Sequence, residues 1–140
     1  MREDLIRTKI KEIEESVDSV KNEIPDELDR FKKLGLIKDG IYKRIEFAVE
    51  NVFDICAVIN SDLDLGIPEG DESIVDNLVN EGILSKEWKD KLSSMKGFRN
   101  IAVHKYGAID DKIAFEILKN NLDDFYKFNE TIENFLEEKN

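Results

Sequence analysis

The sequence has a single cysteine, two prolines and seven glycines among its 140 residues. One cysteine has no partner, so an internal disulfide is excluded, and the cluster of cysteine and histidine that typically binds zinc is missing. So few prolines and glycines leave few turn signals, which disfavours a sheet of many short strands. With 38% charged residues, the composition favours helices.

Long apolar runs are also absent. The most apolar stretch, residues 47–59, is interrupted by Glu50, Asn51 and Asp54 and falls short of the ~20 apolar residues that a membrane helix needs. The first residues lack the apolar region of a secretory signal. We therefore expect a cytoplasmic protein without membrane contacts. Its length and 41% hydrophobic content suit one domain over residues 1–140, without an internal repeat.

Basic residues are outnumbered by acidic ones, 21 to 32, which gives a net charge of −11. Such a balance argues against a nucleic-acid binder, whose usual footprint is basic. The charge is segmented, however, because residues 30–44 hold six basic and one acidic residue and residues 86–106 hold six basic and two acidic ones. A cleft responds to charges within a Debye length, ~8 Å at physiological salt. Nucleic-acid binding is therefore expected to be weak and confined to a basic groove.

Hydrophobic periodicity predicts an all-α bundle of four main helices plus a short helix. The strongest pattern lies in residues 41–59, where apolar residues recur at three- and four-residue spacing. The other main helices are expected at 5–24, 85–105 and 110–138, with short pieces at 26–34 and 71–80 and a loop at 61–70. Asn120 and Asn121 lower the propensity of the last helix without breaking it.

Polar residues gather around the only histidine, in residues 97–107. At about 100° per residue, Arg99 and Tyr106 share one line of a helix and Asn100 and His104 another, with the apolar residues opposite. An arginine can clamp a phosphate and oppose developing charge, and a histidine can transfer protons at neutral pH. Arg99 and His104 diverge by roughly 140° on a regular helix. Two copies across a two-fold axis would bring both pairs together.

A structural interpretation of the histidine stays open, since a histidine near a helix C-terminus interacts favourably with the helix dipole. Leu92 and Val103 fall inside the polar wedge, which suggests that another chain covers this face. Trp88 aligns with Leu92 as either an interface anchor or an ordinary packing residue.

The run Gly97-Phe98-Arg99-Asn100-x-x-Val103-His104-x-Tyr106, followed by Ile109-Asp110, resembles the signature of the HepT-like proteins of the HEPN superfamily. The likeness extends to the run from Arg44 to Glu50, to Gly66-Ile67-Pro68 and to Leu78-x3-Gly82-Ile83, and covers roughly residues 28 to 136.

This resemblance implies a helical homodimer of HEPN type, the toxin half of a toxin–antitoxin pair whose partner is an MntA-type nucleotidyltransferase antitoxin. Members of this kind are endoribonucleases that need no metal and no cofactor. Carried over by position, Arg99 and His104 would be catalytic, Asn100 supporting, and Tyr106 the residue that receives AMP. An anionic nucleotide there would block the cleft and neutralise its positive field.

Three acids, Glu46, Glu50 and Asp54, stand at successive i, i+4 positions. They form either a solvated face or partners for Arg99 or for a second chain's lysine. Glu46 and Glu50 match family positions, which favours a site-lining role. Cys56 lies on the apolar stripe and is expected to act as a small core residue. A second overall interpretation, favoured by the acidic balance, is a dimeric scaffold that binds a nucleotide or a nucleotidyltransferase without cutting RNA.

Overall fold

Seven helices make up the part of the chain that the structure describes. In this computed structural model, the described backbone covers residues 1–103 and 111–139, and the described side chains cover residues 1–100 and 111–139. The helices are α1 (Glu3–Glu23), α2 (Leu28–Lys32), α3 (Leu36–Asp62), α4 (Asp71–Asn80), α5 (Trp88–Val103), α6 (Asp111–Asn121) and α7 (Asp123–Lys139). These residues contain no strand, so the all-α prediction is confirmed.

Helices α1 and α3 pack side by side in opposite directions. Arg2, just before α1, places Nη2 2.8 Å from Oδ1 of Asp62, the last residue of α3. Further along the pair, Lys9 Nζ lies 3.4 Å from Asp54 Oδ2. The faces between these ion pairs are apolar. Cys56 of α3 is fully buried, and burial raises the pKa of its thiol to about 12. The expectation that Cys56 is a core residue is confirmed.

The helix predicted at residues 41–59 is longer at both ends and runs from Leu36 to Asp62. Gly35 precedes it with a φ of +61°, a conformation that favours glycine. Leu36 and Ile37, in the first turn, are 87% and 47% exposed. Because these residues do not face the core, no apolar stripe marks the true start of α3 in the sequence.

The prediction of one continuous helix over residues 110–138 is wrong. Leu122 separates α6 from α7, and its carbonyl accepts a 3.1 Å hydrogen bond from the amide of Phe125 in a tight turn. Asp123 and Asp124 occupy the first turn of α7, where the helix dipole stabilises acidic side chains. The low propensity of Asn120 and Asn121 thus coincides with a helix end.

An aromatic cluster joins four helices near the start of α3. Tyr42 of α3 packs edge-on against Phe31 of α2, with ring centroids 6.0 Å apart, and stacks on Phe98 of α5 at 5.9 Å. Phe31 also contacts Phe115 of α6 at 5.3 Å. All four rings are at most 9% exposed. This cluster therefore fixes the C-terminal half of α5 relative to α3 and α6.

No described helix is both long enough and apolar enough to cross a bilayer.

Candidate functional site

Helix α5 is oriented by a buried stripe. Leu92, Met95 and Phe98 recur at three-residue spacing and are 1%, 6% and 1% exposed. Arg99 follows Phe98 directly and therefore lies at the edge of this buried face. Asn100 is exposed. The helix thus carries Arg99 to the boundary between the core and solvent.

The Arg99 side chain lies between α3 and α4. Its Nη2 is 3.5 Å from Oδ2 of Asp71, and its guanidinium carbon lies 5.6 Å from the centroid of the Phe53 ring. The side chain is 23% exposed. A guanidinium on an aromatic face keeps its charge and part of its donor fork available. One side of Arg99 is therefore anchored while it remains accessible to solvent.

The carboxylate of Asp71 lies close to two basic side chains of α5. Lys96 Nζ lies 3.6 Å from the same Oδ2 that Arg99 approaches. Asp71 begins α4 after Gly70, whose φ is +144°, and the helix dipole stabilises a carboxylate at that position. A single carboxylate is thus held by its own helix and faces two cations, one of them Arg99.

A pocket of about 260 Å³ adjoins this group between α3, α4 and α5. Phe53, Asp71 and Lys96 line it, so the anchor of Arg99 forms part of its wall. Asp76 and Lys89 also line it and pair with each other at 3.1 Å. Four acidic and two basic residues line the pocket, which makes it a poor site for a polyanion.

The three acids of α3 have separate surroundings. Glu46 Oε2 lies 3.4 Å from Lys43 Nζ, Asp54 pairs with Lys9, and Glu50 is exposed. Arg99 pairs with Asp71, which is not one of the three acids that the sequence offered as its partners. A solvated face therefore describes Asp54 and Glu50 better than pairing with Arg99, and a site-lining role for Glu46 and Glu50 stays a prediction.

The expectation that another chain covers Leu92 is wrong, because Leu92 is 1% exposed within its own chain. Trp88 is 4% exposed and packs edge-on against Phe128 of α7, with ring centroids 5.7 Å apart. Of the two interpretations of Trp88, ordinary packing is the one observed. Helix α5 contacts α3, α4, α6 and α7 and so buries more than one face. The side chain of Val103 lies outside the described residues.

His104 and Tyr106 also lie outside the described residues, so their predicted placement relative to Arg99 and Asn100 stays a prediction. The next described residue, Asp111, begins α6. Its Oδ1 accepts a 2.8 Å hydrogen bond from the hydroxyl of Tyr42, and its Oδ2 lies 2.9 Å from Lys38 Nζ. Burial raises the pKa of Asp111, but these two hydrogen bonds and the charges of Lys38 and Lys32 together hold it below its ordinary value.

The sequence did not reveal Asp71 as the partner of Arg99 on α5, or Asp111 as the partner of Tyr42 and Lys38 on α3. Asp71 carried only a helix-capping signal, and Lys38 counted only as one charge of a basic segment. Tyr42 extends the apolar spacing of Ile45 and Val49, so its hydroxyl carried no separate signal. Among the described residues, no group of histidine, cysteine, aspartate or glutamate is arranged to hold a metal ion.

Comparison with known proteins identifies the family. The ribonuclease HepT-like family model matches residues 6–132. The chain belongs to the HepT-like family. It is 28% identical over 129 residues to the mRNA nuclease HepT of Shewanella oneidensis, covering 92% of this chain and 96% of that protein.

Solved toxin–antitoxin structures share the fold. The tri-AMPylated HEPN toxin of Shewanella oneidensis in complex with MNT antitoxin superposes with a TM-score of 0.83 at 27% identity, covering 93% of this chain and 97% of that one. A toxin–antitoxin structure with AMP-PNP gives a TM-score of 0.83 at 26% identity, covering 93% and 98%.

Proposed function

We propose that this HepT-like protein is the toxin of a toxin–antitoxin pair and cleaves RNA without a metal ion. The observation that carries the proposal is the complete run Arg99-x4-His104-x-Tyr106 in a chain that the family model matches over residues 6–132. The similarity to an mRNA nuclease and to a toxin in complex with an antitoxin supports both parts of the proposal.

The reaction is transesterification within the RNA strand. His104 removes the proton from a ribose 2′-hydroxyl, and the oxygen attacks the neighbouring phosphorus. The bond to the 5′-oxygen breaks, a protonated histidine returns a proton to that oxygen, and the products are a 2′,3′-cyclic phosphate and a 5′-hydroxyl. Arg99 binds the phosphate and opposes its growing negative charge. Two chains facing each other supply both histidines, one as base and one as acid.

Tyr106 is the proposed site of neutralisation. An MntA-type nucleotidyltransferase transfers AMP from ATP to the tyrosine oxygen, the bond between the α- and β-phosphates breaks, and pyrophosphate leaves. The modified side chain carries a phosphodiester anion, which competes with RNA for Arg99. The tri-AMPylated toxin structure and the structure with AMP-PNP support this regulation.

Purified protein tests the activity directly. We expect cleavage of a 5′-labelled RNA in excess EDTA, with cyclic phosphate ends, and loss of at least about 100-fold in rate for Arg99→Ala and for His104→Ala. Arg7→Ala is a matched control, since Arg7 also pairs with a carboxylate, Glu133, but at the distant contact between α1 and α7. Cleavage that survives both site substitutions would refute the assignment.

One observation favours a second candidate, the non-catalytic scaffold. The guanidinium of Arg99 already has a carboxylate partner, Asp71, at 3.5 Å. Expression without the antitoxin gene separates the two functions. A nuclease arrests growth and the His104→Ala variant does not, whereas a scaffold leaves growth unchanged in both strains.

A further inference from the structure

One tyrosine of α3 contacts both helices that flank the motif segment. The ring of Tyr42 stacks on Phe98, the residue before Arg99, and its hydroxyl donates to Asp111, the first described residue after residues 104–110. Tyr42 is 1% exposed. The ring contact is therefore made in the interior, where a side chain has little freedom to move, and the hydroxyl reaches a partly buried carboxylate.

The carboxylate of Asp111 is fixed from two sides. Tyr42 bonds Oδ1 and Lys38 bonds Oδ2, at 2.8 Å and 2.9 Å, and both donors belong to α3. The side chains of Lys38 and Asp111 are only 22% and 18% exposed. Hydrogen bonds to an ionised group are strong in such surroundings, and an unpaired partner would be costly. The start of α6 is thereby held in one position on α3.

From these contacts, we propose that Tyr42 and Asp111 are positioning residues for cleavage. The inference depends on the proposed nuclease function. Chain connectivity places His104 and Tyr106 between Phe98 and Asp111, so a single α3 side chain sets how far apart the two ends of this segment lie. A reacting group displaced by about 1 Å loses roughly 100-fold in rate. The hydroxyl of Tyr42 then contributes to turnover without touching RNA.

The test compares two tyrosine-to-phenylalanine substitutions. Tyr42→Phe keeps the ring between Phe31 and Phe98 and removes only the hydroxyl. Tyr126→Phe makes the same change at α7, where the Tyr126 hydroxyl donates to Asp18 of α1 and not to either helix that flanks residues 104–110. We expect kcat for RNA cleavage to fall about 10-fold in Tyr42→Phe, with KM changed less than 2-fold, and both constants to stay at wild-type values in Tyr126→Phe.

Hydrogen exchange gives a readout that does not depend on cleavage. Deuterium uptake in the peptide covering residues 104–110 should rise in Tyr42→Phe and stay unchanged in Tyr126→Phe, at matched fractions of folded protein. Wild-type kcat together with wild-type uptake in Tyr42→Phe overturns the inference. Loss of kcat in proportion to stability in both variants assigns Tyr42 a merely structural role and also overturns it.

Asp111→Asn is the second variant, in case Tyr42→Phe folds poorly. Asparagine keeps an oxygen for the Tyr42 hydroxyl but loses the charge that faces Lys38. We expect a smaller fall in kcat than in Tyr42→Phe, together with raised uptake in the same peptide. If wild-type protein cleaves no RNA, the proposed function fails, whereas the exchange measurement still decides whether Tyr42 orders residues 104–110.

Discussion

Two tyrosines of this protein donate their hydroxyls to aspartates, in opposite surroundings. The ring of Tyr42 is buried in an aromatic cluster, and its hydroxyl bonds the partly buried carboxylate of Asp111, which Lys38 also bonds. Tyr126 is half-buried and bonds Asp18, which is exposed, while Lys21 Nζ lies 5.1 Å from the centre of the Tyr126 ring. The first group has little water to replace a lost partner, and the second has solvent beside it.

The difference concerns how many arrangements each contact allows. An interior polar network is stable only when every member is bonded, so it selects one geometry. A surface pair exchanges its partners for water at little cost. The hydrogen bond of Tyr42 to Asp111 therefore fixes one arrangement of α3 and α6. The hydrogen bond of Tyr126 to Asp18 only supplements the apolar packing between α7 and α1. The specific contact is the one beside the motif segment.

The largest expected effect is the loss of stability when one buried aromatic ring is removed, either from the cluster around Tyr42 or from α7, the helix of Tyr126. Phe31→Ala and Phe128→Ala should each lower the free energy of unfolding by about 3–5 kcal/mol, because both rings are fully buried. Urea denaturation measures these losses. Only Phe31→Ala should also raise deuterium uptake in residues 104–110. Equal uptake in the two variants would remove the distinction between the regions.

A moderate effect is expected from a carboxylate at the site itself. Asp71→Asn removes the anion that faces Arg99 and Lys96, so RNA phosphate no longer competes with it. We expect KM for RNA to fall by up to about 5-fold, since pairs this exposed contribute roughly 0–1 kcal/mol. Asp76→Asn is the control, because Asp76 lies on the same helix but pairs with Lys89. An equal change in both variants would indicate a general charge effect.

The smallest effects are pH dependences of opposite sign. The pKa of Asp111 lies below its ordinary value of about 3.9, so its contribution to stability is present above that pH and is lost as pH falls through the folded pKa. Burial, and then the hydrogen bond to Asp18, raise the pKa of Tyr126, so its contribution is present below pH of about 10 and is lost as pH rises through the folded pKa.

Melting temperatures across pH measure both dependences. Asp111→Asn should lose stability relative to wild type at neutral pH and approach it in acid, while Tyr126→Phe should differ least from wild type at high pH. Parallel curves for wild type and Asp111→Asn below pH of about 4 would show that the carboxylate keeps an ordinary pKa when folded.

Much of the fold was predictable from spacing alone. Apolar residues at three- and four-residue intervals located α1 and the body of α3, and a capping signal located α4. The division at Leu122 was not, because the apolar stripe continues through it. Leu92 was misassigned because one apolar arc was taken as the whole buried surface, whereas α5 packs against several helices and buries a wider face.

The site was predictable in its motif and unpredictable in its surroundings. Arg99-x4-His104-x-Tyr106 is local and can be read directly from the chain. Asp71 and Arg99 are brought together by the packing of α4 on α5, and Tyr42 reaches Asp111 across 69 positions of sequence. Such partners depend on tertiary packing, which leaves no periodic pattern in the sequence.

The buried thiol of Cys56 makes this protein convenient for labelling. It is the only cysteine, it is fully buried, and burial raises its pKa to about 12, so the reactive thiolate is scarce at neutral pH. A cysteine introduced at exposed Asn100 would therefore react selectively with a maleimide dye without prior removal of Cys56. Fluorescence from that position would then report RNA arriving beside Arg99 in an otherwise native chain.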